Sequence, residues 1–381
     1  MATHWTSRRD RAVVGMAATG AIVSALIAGS TAAAASTEAA IPGQISAYPV
    51  SVNIHIQQLF TGSNGQLWFI TPRSQLGEIT PVGTATLTGA VLPVGELDGL
   101  PVPAVIAGAG PMGVWAYTNS VSSTNSDNCA VTLVRPSGGE QSITLPAVAA
   151  HSLCGGAAAD PAGHLWVSLV DRCGSRTCGK RVSFVAMIAT GGSVTLFPPP
   201  KPGALSGSVT VASDGSVWVL GGFRQQALGQ YTATGSRTGI QTPTNTLAQV
   251  LARPDGSFWG TLTKGCFGHG FEICETATHF TPGGTASPFI IFPVAQTATT
   301  QNAVDAGGSL WEAGGERSGP SRFFRMNGAG TIDRSAAFPT AADGSALRAD
   351  GPLVVTPMGP AWASASSPSG AEYLIRFVPT T

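Results

Sequence analysis

Charge is scarce in this chain. Only 10% of its 381 residues are charged, so the polar faces that long amphipathic helices need are missing, which argues against a helical fold. Net charge is zero, and no basic run exists beyond Arg8-Arg9-x-Arg11, which removes the electrostatic footprint of a nucleic-acid partner. The chain also has no Gly-x-Ser-x-Gly, no His-Glu-x-x-His and no phosphate loop. What it has is 49 Gly, 27 Pro and 43% hydrophobic residues. That mix excludes disorder and suits many short strands joined by tight turns.

Residues 1–36 read as an export signal. Arg8, Arg9 and Arg11 form a basic start, Ala12 to Ala28 is uncharged and mainly apolar, and Ala33-Ala34-Ala35 offers a small-residue cleavage site. A retained membrane anchor is the rival; the shortness of the stretch and its Ala and Gly content point to cleavage. Ser7-Arg8-Arg9 resembles a twin-arginine signal, although Asp10 and Arg11 stand where hydrophobic residues are expected. The expectation is a secreted or extracytoplasmic monomer with no membrane span after cleavage. Leu100 to Ala116 is also apolar, but Pro101, Pro103 and Pro111 with three Gly rule out a spanning helix. It reads as two buried strands and their turn.

Seven Trp outside the signal recur 41 to 52 residues apart: Trp68, Trp115, Trp166, Trp218, Trp259, Trp311 and Trp362. Such a period is one propeller blade of four short strands. Gly stands three before Trp in six copies (Gly65, Gly163, Gly215, Gly256, Gly308, Gly359), and Gly113 stands two before Trp115. Gly supplies the positive φ of a hairpin turn, after which the Trp strand starts. A strand-plus-turn of eight residues follows each Trp, as in Leu76 to Gly83 and Ala277 to Gly284. An apolar residue next to Pro then closes the repeat, as in Leu145-Pro146 and Phe338-Pro339. The seventh repeat lacks this piece, and Gln44 to Val50 looks like it. The fold expected for residues 44–381 is therefore an all-β, seven-bladed β-propeller, closed by residues 44–50 as outer strand of the last blade.

Asn64-Gly65-Gln66-Leu67-Trp68-Phe69 with Leu76-Gly77-Glu78-Ile79, and Pro254-Asp255-Gly256-Ser257-Phe258-Trp259, resemble the repeats of virginiamycin B lyase-like propellers. NHL-type propellers share much of the pattern. The resemblance covers residues 44–381 and implies the fold. In that family it also implies opening of a cyclic ester by elimination, with His and Glu near the ring axis and a divalent metal. The family's His lies 11 before a repeat Trp. Here that slot holds Gly155, Gly207, Ala248, Thr300 and Gly351 in the five later repeats. No Glu stands three after any repeat Trp. No catalytic residue carries over, and function lives in the site rather than the fold.

Six Cys in an exported chain suggest disulfides. The loops they occupy favour 129–154, 173–178 and 266–274, with a metal site as rival; Cys173-x4-Cys178 and Cys266-x7-Cys274 are not zinc-knuckle spacings. Five of the six Cys lie in the long loops after the Trp strands, where binding function concentrates. The fifth loop supplies weak catalytic candidates in His269, Glu272, Glu275 and His279, near Lys264; a solvated loop is the plain alternative. Arg172, Arg176 and Lys180 of the third loop, and Glu312 and Arg317 of the sixth repeat, are candidate ligand contacts; the plain alternatives are a solvated basic loop for the first set and exposed ion pairs for the second. Asp160, Asp214, Asp255 and Asp305 invite a calcium reading, but turn geometry explains them, and no metal site is assigned. His164 is expected to be exposed on its strand. The residues leave any cofactor unknown. The expected function is a secreted binding propeller for a small molecule, glycan or protein, held on the stapled loop face or in the axial channel. A lyase or hydrolase using other residues is the alternative.

Overall fold

The computed structural model describes residues 43–379 apart from short stretches at 52, 63–64, 98–99, 111, 122–127, 136–138, 151, 172–182, 200–205, 213, 222–226, 233–236, 242–246, 248, 266–272, 283–284, 288–289, 297–301, 316–319 and 357–358. The expected signal, residues 1–36, lies outside the described residues. At 97, 171, 206, 227, 237–241, 262–265, 273–275 and 290–296 the backbone pairing alone is described.

Seven four-stranded antiparallel sheets follow one another along the chain. Blade 1 runs Gln58–Thr61, Leu67–Ile70, Gln75–Ile79 and Ala85–Val91 from inner to outer strand. Blade 5 runs Gln249–Ala252, Phe258–Gly265, Ile273–Phe280 and Ile290–Gln296, and blade 6 runs Ala303–Val304, Leu310–Gly314, Arg322–Met326 and Ile332–Ala337. Each inner strand touches the inner strand of the next blade, and the last touches the first, so the ring is closed. Blade 7 has Arg348–Val355, Ala361–Ser366 and Glu372–Pro379, and its outer strand is Gly43–Pro49, paired from Gly43↔Pro379 to Pro49↔Tyr373. The N-terminal closing strand is thus in place.

The repeat explains the core. All seven repeat glycines turn with φ between +76° and +140°, the left-handed region that an L side chain resists. The Trp that follows sits on the second strand. Each Trp enters a buried cluster shared with the next blade, and there are seven such clusters. Truncating one of these rings to Ala costs about 3–5 kcal/mol.

Each seam also has a polar clasp on a neighbour's backbone. The amide of Gln58 brackets Ile106 at 2.9 and 3.1 Å, and that of Asn119 brackets Cys154 at 2.8 and 2.9 Å. Ser168 Oγ donates to Gly207 O at 3.0 Å, and Ala252 N donates to Thr210 Oγ1 at 3.3 Å. Arg253 Nε donates to Gly308 O at 2.7 Å, Ala349 N to Ser321 Oγ at 2.8 Å, and Ile56 N to Glu372 Oε2 at 3.0 Å. These bonds satisfy backbone groups that blade stacking would otherwise strand.

The apolar run from Leu100 to Ala116 divides differently from expectation. Leu100–Val102 pairs with Gly95–Leu97 in a separate hairpin, and Leu100 is 69% exposed. Only from Val105 does the chain enter blade 2, as Val105–Gly110 and Gly113–Ser120. Pro101 and Pro103 bar this stretch from a central strand, since proline cannot donate to a ladder.

Candidate functional site

The two ends of the ring differ in how they are built. At one end lie the tight turns between inner and Trp strands. At the other lie the longer loops between second and third strands. The disulfide Cys129–Cys154 belongs to the loop end, with Cα atoms 5.3 Å apart, and ties blade 2 to blade 3. The pairs proposed for Cys173, Cys178, Cys266 and Cys274 lie outside the described residues or, for Cys274, where only backbone is described.

At the turn end the axial channel opens into a cavity of about 430 Å3. Its wall is one repeat slot, the residue six before each Trp. Six blades contribute it: Gly62, Ala109, Asp160, Ala212, Asp305 and Thr356. Blade 5 presents Ala252 and Pro254 instead, because its slot residue, Arg253, turns into the seam.

Where the slot is Asp, its carboxylate takes the indole N–H of its own blade. Asp160 Oδ2 accepts from Trp166 at 3.0 Å, and Asp305 Oδ2 accepts from Trp311 at 2.8 Å. Trp115 and Trp259 instead donate to Gly163 O at 2.9 Å and Gly308 O at 3.0 Å in the next blade. Asp160 also accepts from His164, through backbone N at 2.9 Å and Nδ1 at 3.0 Å. His164 is therefore half-buried against Asp160, not free on its strand. Asp305 takes Gly307 N and Ser309 N, both at 2.9 Å. Asp214 and Asp255 cap Ser216 N and Ser257 N. All four carboxylates serve their turns, as an Asx turn requires.

Arg253 is the hub of the seam between blades 5 and 6. It is 7% exposed. Its Nη1 lies 2.7 Å from Ser257 Oγ, 2.6 Å from His279 Nε2 and 3.1 Å from Asp255 Oδ2. Ser257 Oγ in turn donates to Asp255 Oδ1 and lies 2.9 Å from His279 Nε2. Ser, His and Asp thus meet in one place, but not as a nucleophile relay. A guanidinium has only donors, so His279 Nε2 must accept from it, and the ring is neutral with its proton on Nδ1. The Ser257 proton points at Asp255. Burial and then the Arg253 charge push the His279 pKa down, against the pull of Asp255. Asp255 is held low despite partial burial, by Ser257 hydrogen bonds and then by Arg253 and His279.

The sequence-selected residues do not gather in one site. His279 pairs with Trp259 across the ladder, at the turn end. Glu275 is four residues back on the same strand, roughly 13 Å away at strand rise, and only its backbone is described. His269, Glu272, Arg172, Arg176, Lys180 and Arg317 lie outside the described residues. Glu312 is completely buried, where exposed ion pairing was the plain expectation. It shares a strand face with Leu310, which packs with Trp259 of blade 5; a strand covered on both sides by blades has no exposed face. Arg253 escaped notice in the sequence. Aligning the slot six before Trp would have found it, as the single basic residue in that column.

The divalent metal that the resemblance implies does not fit. No group of three His, Cys, Asp or Glu is placed to hold one among the described residues. The family's His slot holds no His in any repeat; where it is glycine the inner strand is irregular, and a Cβ on Gly207 would lie 3.0 Å from Leu220 O. On Gly351 it would crowd Ser364 Oγ. No protein-family model and no curated protein sequence matches the chain. Solved structures do. Catalytically inactive virginiamycin B lyase from Staphylococcus aureus with quinupristin is similar at TM-score 0.56 and 15% identity, over 89% of this chain and 100% of that one. YCF48 bound to D1 peptide is similar at 0.53 and 11%, over 90% and 100%. Puromycin hydrolase is similar at 0.54 and 14%, over 84% of this chain and 52% of that one.

The chain shares the propeller fold of these proteins. At such identities the likeness reaches no further than the fold.

Proposed function

We propose that this chain is an exported binding propeller that holds a small molecule or glycan in the turn-end mouth of its axial channel. The observation that carries the reading is the cavity of about 430 Å3, walled by one repeat slot filled mostly with small residues. Its volume is that of a small-molecule site. Export is supported by the basic-then-apolar segment before residue 36 and by the Cys129–Cys154 disulfide, a bond of oxidising compartments. Neighbours of this fold include a peptide-bound protein as well as lyases and a hydrolase. Catalysis of the lyase kind finds no support, since no repeat has a His at the family's slot. Base catalysis by His279 is opposed by the guanidinium on its lone pair.

The test is a thermal-shift screen of glycans, cell-wall fragments and small molecules, with and without EDTA. Ala306, exposed at the cavity rim, is changed to Trp as a plug. A ligand at about 100 times its Kd should stabilise the unaltered protein by about 2.7 kcal/mol, with EDTA making no difference, and should not stabilise Ala306→Trp. Turnover of the ligand, or binding indifferent to the plug, would overturn the reading.

A further inference from the structure

A second cavity, of about 420 Å3, lies in the seam where the ring closes, between blades 7 and 1. It occupies the slots that Arg253 fills between blades 5 and 6. There the guanidinium is wedged so tightly that a Cβ on Gly308 would lie 2.7 Å from its Nε, and one on Gly328 2.6 Å from its Nη2. The register gives each of these residues a counterpart in the closing seam. Thr356 replaces Arg253, and Gly65 replaces Gly308. Pro81 replaces Gly328. Arg376, opposite Trp362, replaces His279, and Glu78, opposite Trp68, replaces Arg325. All five line the cavity. A short Thr where an Arg could stand leaves the space open.

The opened space carries charge of both signs on facing walls. The Arg376 guanidinium sits 5.5 Å from the Trp362 ring centroid, and its buried Nε has no hydrogen-bond partner among the described residues. The side chain lines the cavity and carries a full positive charge there, which an incoming anion offsets. Glu78 faces it from blade 1. None of the ion pairs among the described residues joins the two. A ligand that neutralises both must therefore span the seam. Trp362, Ile79 and Pro360 supply apolar wall between them.

We infer that this pocket binds a short peptide with free termini, of dipeptide size. Its carboxylate pairs with Arg376, which suits the planar fork of a guanidinium. Its ammonium pairs with Glu78, and its side chains lie on Trp362 and the prolines. The site is separate from the axial cavity, sharing Thr356 as a wall, so it stands or falls independently of that reading.

The experiment is calorimetric titration of the full chain with a panel of dipeptides of Ala, Leu, Phe and Tyr, each also as N-acetyl and C-terminal amide forms. At least one free dipeptide should bind with a Kd below about 1 mM, and both blocked forms at least about tenfold more weakly. In Arg376→Gln, amidation should no longer matter; in Glu78→Gln, acetylation should no longer matter. Thr356→Arg, which supplies the missing plug, should abolish binding with the melting temperature retained. No saturable binding by any free dipeptide, equal binding of a blocked form, or binding indifferent to both charge substitutions would each overturn the assignment. Ala306→Trp should leave this binding intact, which separates the two sites.

Discussion

Between blades 5 and 6 the residue six before Trp is Arg253, and the seam is solid. Between blades 7 and 1 the same slot holds Thr356, and a cavity takes its place. The first seam is held from within, by a guanidinium that donates to Gly308 O, Ser257 and His279. The second is held from outside, by the strand Gly43–Pro49. Its Tyr48 stacks at 6.0 Å on Trp362 and lies against Gly83 of blade 1. Glu372 then receives Ile56 N and the His55 imidazole from the segment that follows. The same repeat slot thus holds a strut in one seam and borders a pocket in the other. The chain places the pocket where a separate strand already secures the ring.

Three changes would break or sharpen that contrast. The largest effect should come from deleting residues 44–50. This removes the ladder to Glu372–Pro379 and bares an apolar edge, and the melting temperature should fall by roughly 10 °C or more. An unchanged melting temperature in calorimetry would mean the strand does not hold the ring.

Arg253→Met should come next. It removes the strut but fills the space with an apolar stem, so the loss should be about 2 kcal/mol by denaturant titration. The His279 titration, followed by NMR, should move up towards the ordinary imidazole range. An unmoved titration would show that the guanidinium does not act on the ring.

The smallest effect is on pH. His279 folded holds a proton less tightly than His279 unfolded, because burial and Arg253 oppose its charge. The unfolded chain therefore binds more protons as pH falls below about 6.5. The stability from the neutral ring is complete above that pH and lost as pH falls towards the lowered folded value. His279→Gln should flatten stability against pH there, and a profile that keeps its slope would assign the dependence elsewhere.

The blade count was legible because Trp and a turn glycine must recur once per blade. Each seam of this ring buries an indole, and each hairpin turn has a glycine at positive φ. The closing strand was legible for a related reason: Tyr48-Pro49 repeats the apolar-then-Pro ending that closes other blades. His279 was picked from the sequence for its neighbours along the chain, His269 and Glu275. Its actual partners, Arg253, Ser257 and Asp255, come from a turn more than twenty residues upstream. Strand pairing joins what sequence distance separates, so a cluster read from adjacency missed them. Glu312 went the same way: its period-two position is plain, but only the stacking of blades on both faces buries it.

By itself, then, the sequence determined the architecture, because repeat spacing, turn glycines and indoles act locally and identically in every blade. The tertiary structure alone decided which polar residues meet and which space stays open. Those outcomes depend on slots where the blades differ, and on what the next blade presents to them across the seam.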